Sequence, residues 1–238
     1  MSGSPRFQVF FRTSKTFGKN PIPNINSKIT YHSLLKSFRP EEIAVICDHA
    51  SPRQRDYFMR HASCCYLSNL GNCGSFRLQA KLAASKHPAD IYYFCEDDHL
   101  HLPEQKRYLA AGLEHFDIVS LYDHPDKYSL WNEHGLMRKV VATAAGHFAG
   151  TPSTVMTFAL KRQTLLQHLD LMIQGPCTDP RLPFPKDHEL FTALSQRGLL
   201  IGTALPGRST HCEREGLSPY VDWQHYANSI VINTASPG

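Results

Sequence analysis

Ile91-Tyr92-Tyr93-Phe94-Cys95-Glu96-Asp97-Asp98-His99-Leu100-His101 is the stretch that decides how this chain folds. An apolar, aromatic run of strand length ends abruptly in three carboxylates and two imidazoles, so strongly polar groups stand where a buried strand opens to solvent. In α/β proteins that edge carries the chemistry. Crowded carboxylates repel one another and raise each other's pKa, and a divalent metal bound through oxygen is the simplest compensation. A solvated acidic loop has the same composition, so the flanking chain must decide between the two.

Toward the amino terminus, residues 7–11 (Phe-Gln-Val-Phe-Phe) predict a first buried strand. The pattern at 28–38 predicts a helix that stops before Pro40, and 43–47 predict a second strand. Strand, helix, strand is the opening of a parallel sheet. Ser51-Pro52 opens a helix through His61, with proline in the favourable first position. An apolar run at 64–67, a helix over 76–86 and a helix opened by Pro103 continue the alternation. Toward the carboxyl terminus, strands are expected at 118–122, 139–145, 154–160 and 199–205, with helices at 161–174 and 187–197, the last ending at Gly198. Residues 123–138 and everything beyond 206 read as loop. The expectation is one α/β domain, 1–238, with a mixed, largely parallel central sheet flanked by helices.

At 238 residues with 42% hydrophobic and 19% charged content, the chain can bury a core of its own and is not a disordered protein. Its seven cysteines (47, 64, 65, 73, 95, 177, 212) include no C-x-x-C pair, which argues against a zinc knuckle, and several lie in apolar strand-like runs, which suggests reduced thiols in a cytosolic setting. No apolar run approaches a membrane span, and the start has no signal-peptide core, so no membrane partner is expected. A net charge of +4 permits a phosphate-rich partner without requiring one.

Four polar clusters fall at strand ends or helix starts: Asp48, the loop 69–75, the cluster 96–101, and Lys186-Asp187-His188-Glu189. Right-handed crossovers bring the carboxyl ends of parallel strands to one edge, so the first three converge although they are distant in sequence. Gly71 and Gly74 lead into a helix and let backbone approach a ligand. A competing site of Asp97, His99 and His101 on one strand face would make a two-histidine, one-carboxylate iron centre.

Val45-Ile46-Cys47-Asp48, then Asn69-Leu70-Gly71-Asn72-Cys73-Gly74, then an Asp-x-Asp-like strand end, then Asp187-His188-Glu189-Leu190 form an ordered set. The set resembles nucleotide-sugar glycosyltransferases of GT-A fold, particularly family 2, over about residues 5–225. Lys186 stands where that group usually has a first acid, and Glu96 where it usually has aspartate. The resemblance implies a nucleotide-sugar-binding half over about 5–115, an acceptor-binding and catalytic half over about 116–225, and a tail at 226–238. It implies donor contacts from Arg12, Thr13, Asp48, Asn69, Gly71, Gly74, Glu96 and Asp97, with Arg208 neutralising diphosphate. Asp98 and a late histidine, His211, would hold Mn2+ or Mg2+. Asp187 would be the catalytic base of an inverting transfer.

Tyr122, Asp123, Trp131, Thr154 and Glu189 would meet the acceptor, with Lys127, Arg138, Lys139 and Arg162 near any phosphates. Leu-Tyr-Asp-His-Pro-Asp-Lys-Tyr (121–128), Thr-Pro-Ser-Thr (151–154) and Ser-Thr-His (209–211) are similar to a narrower branch of small bacterial and phage GT-A proteins. That branch includes TET-associated enzymes that glycosylate 5-hydroxymethylcytosine in phage DNA, which suggests DNA as acceptor and Trp131 or Tyr128 as a wedge. A cell-surface glycan or small-molecule acceptor, a nucleotidyltransferase and a non-catalytic nucleotide- or nucleic-acid-binding module are the alternatives.

Overall fold

The computed structural model describes residues 3–17, 20–128, 139–175 and 186–230. The order is β1 (Phe7–Ser14), α1 (Ser27–Leu34), β2 (Ile43–Asp48), α2 (Pro52–His61), β3 (Cys64–Ser68), α3 (Gly71–Ser85), β4 (Ile91–Glu96), β5 (His99–His101), α4 (Gln105–Gly112) and β6 (Ile118–Ser120). Then follow β7 (Val140–Ala142), β8 (His147–Gly150), β9 (Phe158–Lys161), α5 (Arg162–Gln167), α6 (Leu169–Gln174), α7 (Asp187–Gln196), β10 (Ile201–Leu205), β11 (Ser209–His211) and α8 (Trp223–Ser229).

Nine strands form one sheet in the order β3-β2-β1-β4-β9-β6-β10-β8-β7. The β3-β2-β1-β4 block is parallel, and β9 and β8 run against their neighbours. From β1 the chain moves outward through β2 and β3, and α3 then carries it back to β4 on the other side of β1. This reversal opens a crevice at the carboxyl ends of β1 and β4.

Both faces of the parallel block are covered, which is why its strands read as apolar runs rather than alternating ones. Val9 and Phe11 of β1 pack with Tyr31, Leu34, Phe58 and Leu109 on one face. Phe10 points the other way, into Phe76, Ala80, Leu190 and Phe191. Local signals set the helix ends: Ser51 Oγ accepts from the Gln54 N–H at 3.3 Å while Gln54 Oε1 accepts from the Ser51 N–H at 3.1 Å, a capping box in front of Pro52.

Several expectations change. The strand expected over 139–145 is the shorter β7, β8 lies where no strand was expected, and the strand expected over 154–160 is β9, Phe158–Lys161. The segment beyond 206, expected as loop, contains β11 and α8, and β11 pairs with β5 as a separate antiparallel ribbon. A third apolar cluster of Ile22, Leu100, Cys212, Trp223 and Ala227 lies beneath that ribbon. The helix expected over 161–174 is two, α5 and α6, broken at His168, whose backbone leaves the helical region at φ −122, ψ 21. Cysteines 47, 64, 65, 95 and 212 are free, but Cys73 is disulfide-bonded, against the expectation of thiols throughout. No helix among the described residues is long and apolar enough to cross a membrane.

Candidate active site

Where β1 and β4 part, Arg12 and Glu96 are register partners, and their side chains form an ion pair of 2.8 Å. The same buried guanidinium donates to the Asn72 carbonyl at 2.6 Å, to Ser75 Oγ at 3.3 Å and to the Asn72 side chain. One residue thereby ties the ends of β1 and β4 to the start of α3. Asp48, buried at the end of β2, accepts from Ser68 Oγ and the Leu70 N–H, both at 2.7 Å. Its other oxygen lies 3.0 Å from His49 Nδ1. Burial alone would raise its pKa, but these contacts outweigh burial and hold it below the usual carboxylate range. Asp48 is therefore an ionised acceptor at neutral pH.

The three carboxylates of the acidic cluster diverge. Asp97 turns back to accept from Thr13 Oγ1 at 2.6 Å and the Ser14 N–H at 3.3 Å, and burial, then the neighbouring Asp98, push its pKa well up. Glu96 faces Arg12. Burial, working against the Arg12 charge, pushes it up to about 7. Asp98 faces His211, with Oδ2 3.0 Å from Nε2. Burial disfavours both charges, yet the pair wins: the Asp98 pKa falls and the His211 pKa rises.

His211 of β11 is the register partner of His99 of β5, so the two imidazoles share one face of the ribbon. Donor atoms of Asp98, His99 and His211 all lie within 4.8 Å of one another. Asp98 Oδ1 and both ring nitrogens of His99 are buried without a hydrogen-bond partner. Burial lowers the His99 pKa well below its ordinary value, which leaves a neutral ring with a lone pair to give. A carboxylate and two imidazoles with unmet polar atoms fit a divalent ion.

The crevice has two lobes. One, of ≈ 250 Å³, is lined by Arg12, Thr13, Lys15, Asp48, Asn72 and Asp97 among others. The second, of ≈ 580 Å³, is lined by His99, Tyr122, Met156, Asp187, His211 and Glu213 among others. Asn72, Glu96 and Asp98 line both and mark the junction. Asp187 opens α7, half-buried, with its Oδ1 accepting from the His188 N–H at 2.7 Å. Burial raises its pKa despite that bond. It also lines a smaller recess with Tyr122, His124, Thr154 and His188.

Other expected residues stand apart from the crevice. Asn69 is exposed beyond β3. Gly71, at φ +74, supplies the backbone turn into α3, and Gly74 leaves room that Leu70 Cβ would otherwise contest at 2.6 Å. Arg208 donates to the Pro103 carbonyl at 2.9 Å and lies over the Tyr108 ring. Asp123 is buried and accepts from the Tyr128 hydroxyl. Glu189 is exposed and paired with Lys186 at 2.6 Å. Arg162 bonds Tyr92 and the Ala84 carbonyl, next to Lys161, the register partner of Ile91 at the opposite end of β4. Trp131 and Arg138 lie outside the described residues. The iron triad of Asp97, His99 and His101 does not assemble, because Asp97 is bound to Thr13 and His101 Nε2 lies 2.8 Å from the Tyr93 hydroxyl. Sequence reasoning passed over Asn72, Ser75, His124 and Glu213. Asn72 lies inside the 69–74 motif and Glu213 stands two residues after His211, so both were legible in the sequence.

No protein-family profile and no curated protein sequence matches this chain. Solved structures match its fold. GalNAc-T7, in a crystal structure with UDP, GalNAc and Mn2+, aligns at TM-score 0.59 and 13% identity over 87% of this chain and 43% of that one. S. aureus TarS 1-349 aligns at TM-score 0.52 and 14% identity over 83% of this chain and 57% of that one. The chain thus spans about half the length of these two structures. At such identities the likeness is one of fold, and the fold is the GT-A fold of glycosyltransferases.

Proposed function

We propose that this chain is a metal-dependent glycosyltransferase that moves a sugar from a nucleoside-diphosphate donor, a UDP-sugar, to a hydroxyl acceptor with inversion. The observation that carries this reading is the two-lobed crevice, whose lobes meet at Glu96 and Asp98 while Asp187 lines only the second. In the first lobe, ionised Asp48 accepts from the donor's base or ribose, and Glu96, held by Arg12, faces the ribose side. A divalent ion, Mn2+ or Mg2+, held by Asp98 and His211 would neutralise the diphosphate as it leaves. Asp187, made more basic by its burial, takes the acceptor proton as the oxygen attacks the anomeric carbon and the bond to diphosphate breaks. The UDP and Mn2+ bound to GalNAc-T7 support the donor and ion class.

For the acceptor, the charge of the second lobe favours a neutral glycan or small-molecule hydroxyl. Glu213, Glu215 and Asp187 line it, and Asp126 lies in the adjoining recess with Lys127. Arg162, expected beside phosphates, is at the other end of the sheet. Carboxylates at the mouth repel a phosphate backbone. DNA bearing 5-hydroxymethylcytosine, suggested by the branch resemblance, is the second reading, and one assay separates the two.

The protein is incubated with Mn2+, a panel of nucleotide-sugars, and simple glycosides or hydroxymethylated and unmodified duplexes, and the products are read by mass spectrometry. A hexose or pentose adduct on a neutral acceptor is the expected result, and an adduct on the hydroxymethylated duplex would transfer the assignment to DNA. Asp187→Asn is expected to lose about 10²- to 10⁴-fold in turnover while binding UDP as before. Donor left intact with every acceptor, or an Asp187→Asn variant as active as the parent, would sink the reading.

A further inference from the structure

We infer that His99 is a third protein ligand of the divalent ion, so that Asp98, His99 and His211 bind Mn2+ ahead of Mg2+ without help from a donor diphosphate. The inference deepens the glycosyltransferase reading and rests on its metal centre. Three observations carry it. First, antiparallel pairing of β5 with β11 sets His99 directly opposite His211, with ring centroids 5.2 Å apart, and a donor from each of the three residues falls within 4.8 Å of the others. Ligands about 2.1 Å from one ion stand roughly 3 to 4 Å apart, so closing the set takes only small side-chain rotations.

Second, His99 is fully buried, yet neither ring nitrogen has a hydrogen-bond partner. An ordinary core histidine satisfies at least one nitrogen, as His101 does with Tyr93. The Tyr122 ring packs perpendicular to His99 at 5.2 Å, but its hydroxyl is committed to the Gly216 carbonyl at 2.7 Å. Third, Asp98 Oδ1, one residue away, is also buried without a partner. An unmet carboxylate oxygen and an unmet imidazole lone pair, on residues whose donor atoms come within 4.8 Å of one another, call for an electrophile, and a cation supplies one.

The donor set specifies the ion. Mg2+ prefers oxygen ligands and gives up its waters reluctantly, whereas imidazole nitrogen suits Mn2+ and the later first-row ions. Three protein ligands also hold the ion before a donor arrives, leaving other coordination positions open to diphosphate oxygens.

The test is made on the full chain with no nucleotide present. MnCl2 is titrated while the free-Mn2+ signal is followed by electron paramagnetic resonance, and Mg2+ is then added in excess. Expected are one bound Mn2+ per chain, retention of that ion against a hundredfold excess of Mg2+, and an affinity at least tenfold lower in His99→Leu. Circular dichroism confirms that the variant is folded. Electron spin echo modulation of the parent protein gives a readout that needs no variant, and two directly bound imidazole nitrogens are expected. A single coupled nitrogen, unchanged Mn2+ affinity in a folded His99→Leu, or Mn2+ binding only when UDP is added overturns the inference while leaving the glycosyltransferase reading intact. Two nitrogens and His99-dependent binding in a protein that transfers no sugar uphold the inference and refute that reading instead.

Discussion

Asp187 and Glu96 carry the residue-scale consequences of burial at the crevice. Both are carboxyls whose charged form is disfavoured by removal from water, and Glu96 is pushed up to about 7 even beside Arg12. Asp187 can accept a proton only as a carboxylate. Because burial raises its pKa, turnover is expected to fall as pH drops through a value above the ordinary carboxylate range of about 4. The acid limb of kcat against pH measures this directly. A limb at or below that range would remove Asp187 from the role of base. Asp48 shifts the opposite way because three groups bond its charged form, so it stays ionised below the pH at which an ordinary carboxylate protonates.

At the scale of elements, the β5–β11 ribbon and its small apolar cluster hold the two facing histidines in register. Leu100, between His99 and His101, points away from the site into the cluster with Trp223, and Trp223 Nε1 donates to the Ser218 carbonyl at 2.7 Å. Trp223→Ala is expected to cost about 3–5 kcal/mol of stability by leaving a cavity, and to weaken Mn2+ binding although Trp223 is not itself a ligand. Trp223→Phe loses chiefly that hydrogen bond, about 1 kcal/mol, and keeps the metal. Urea unfolding and the Mn2+ titration together check both. If Trp223→Ala binds Mn2+ like the parent, the ribbon does not depend on this core. The ribbon itself was not legible in the sequence. Three-residue strands carry too little periodicity to be read, and their pairing joins segments over a hundred residues apart.

On the scale of the whole molecule, ligands that bind only the folded state stabilise it. UDP with Mn2+ at 100 times Kd should add about 2.7 kcal/mol, a rise in melting temperature of roughly 5–10 °C for a chain of this size. Thermal unfolding with UDP alone, Mn2+ alone and both together measures it. The combined shift is expected to exceed the sum of the separate ones, because diphosphate oxygens and protein ligands share one ion. Absence of any shift with both would count against the donor assignment. The fold makes such coupling possible: the first lobe is built on β1, β2 and β4, while Asp187 and His211 come from elements that follow β9 in the chain.

By itself the sequence determined the parallel block, its order of strands and helices, and the edge on which Asp48, Glu96 and Asp98 meet. Apolar runs of strand length, a Ser-Pro helix start and right-handed crossovers are local or nearly local facts, and these impose the layering. Only the tertiary structure decided which of the marked residues face the crevice. It took Arg208 to Tyr108 and Glu189 to Lys186, away from the crevice, tied Asp97 to Thr13 within the first lobe, and set His99 opposite His211. The reason is physical: a side chain's direction follows from its strand register and its bonding partner. Both are fixed by contacts between distant segments, where neighbouring residues exert little control.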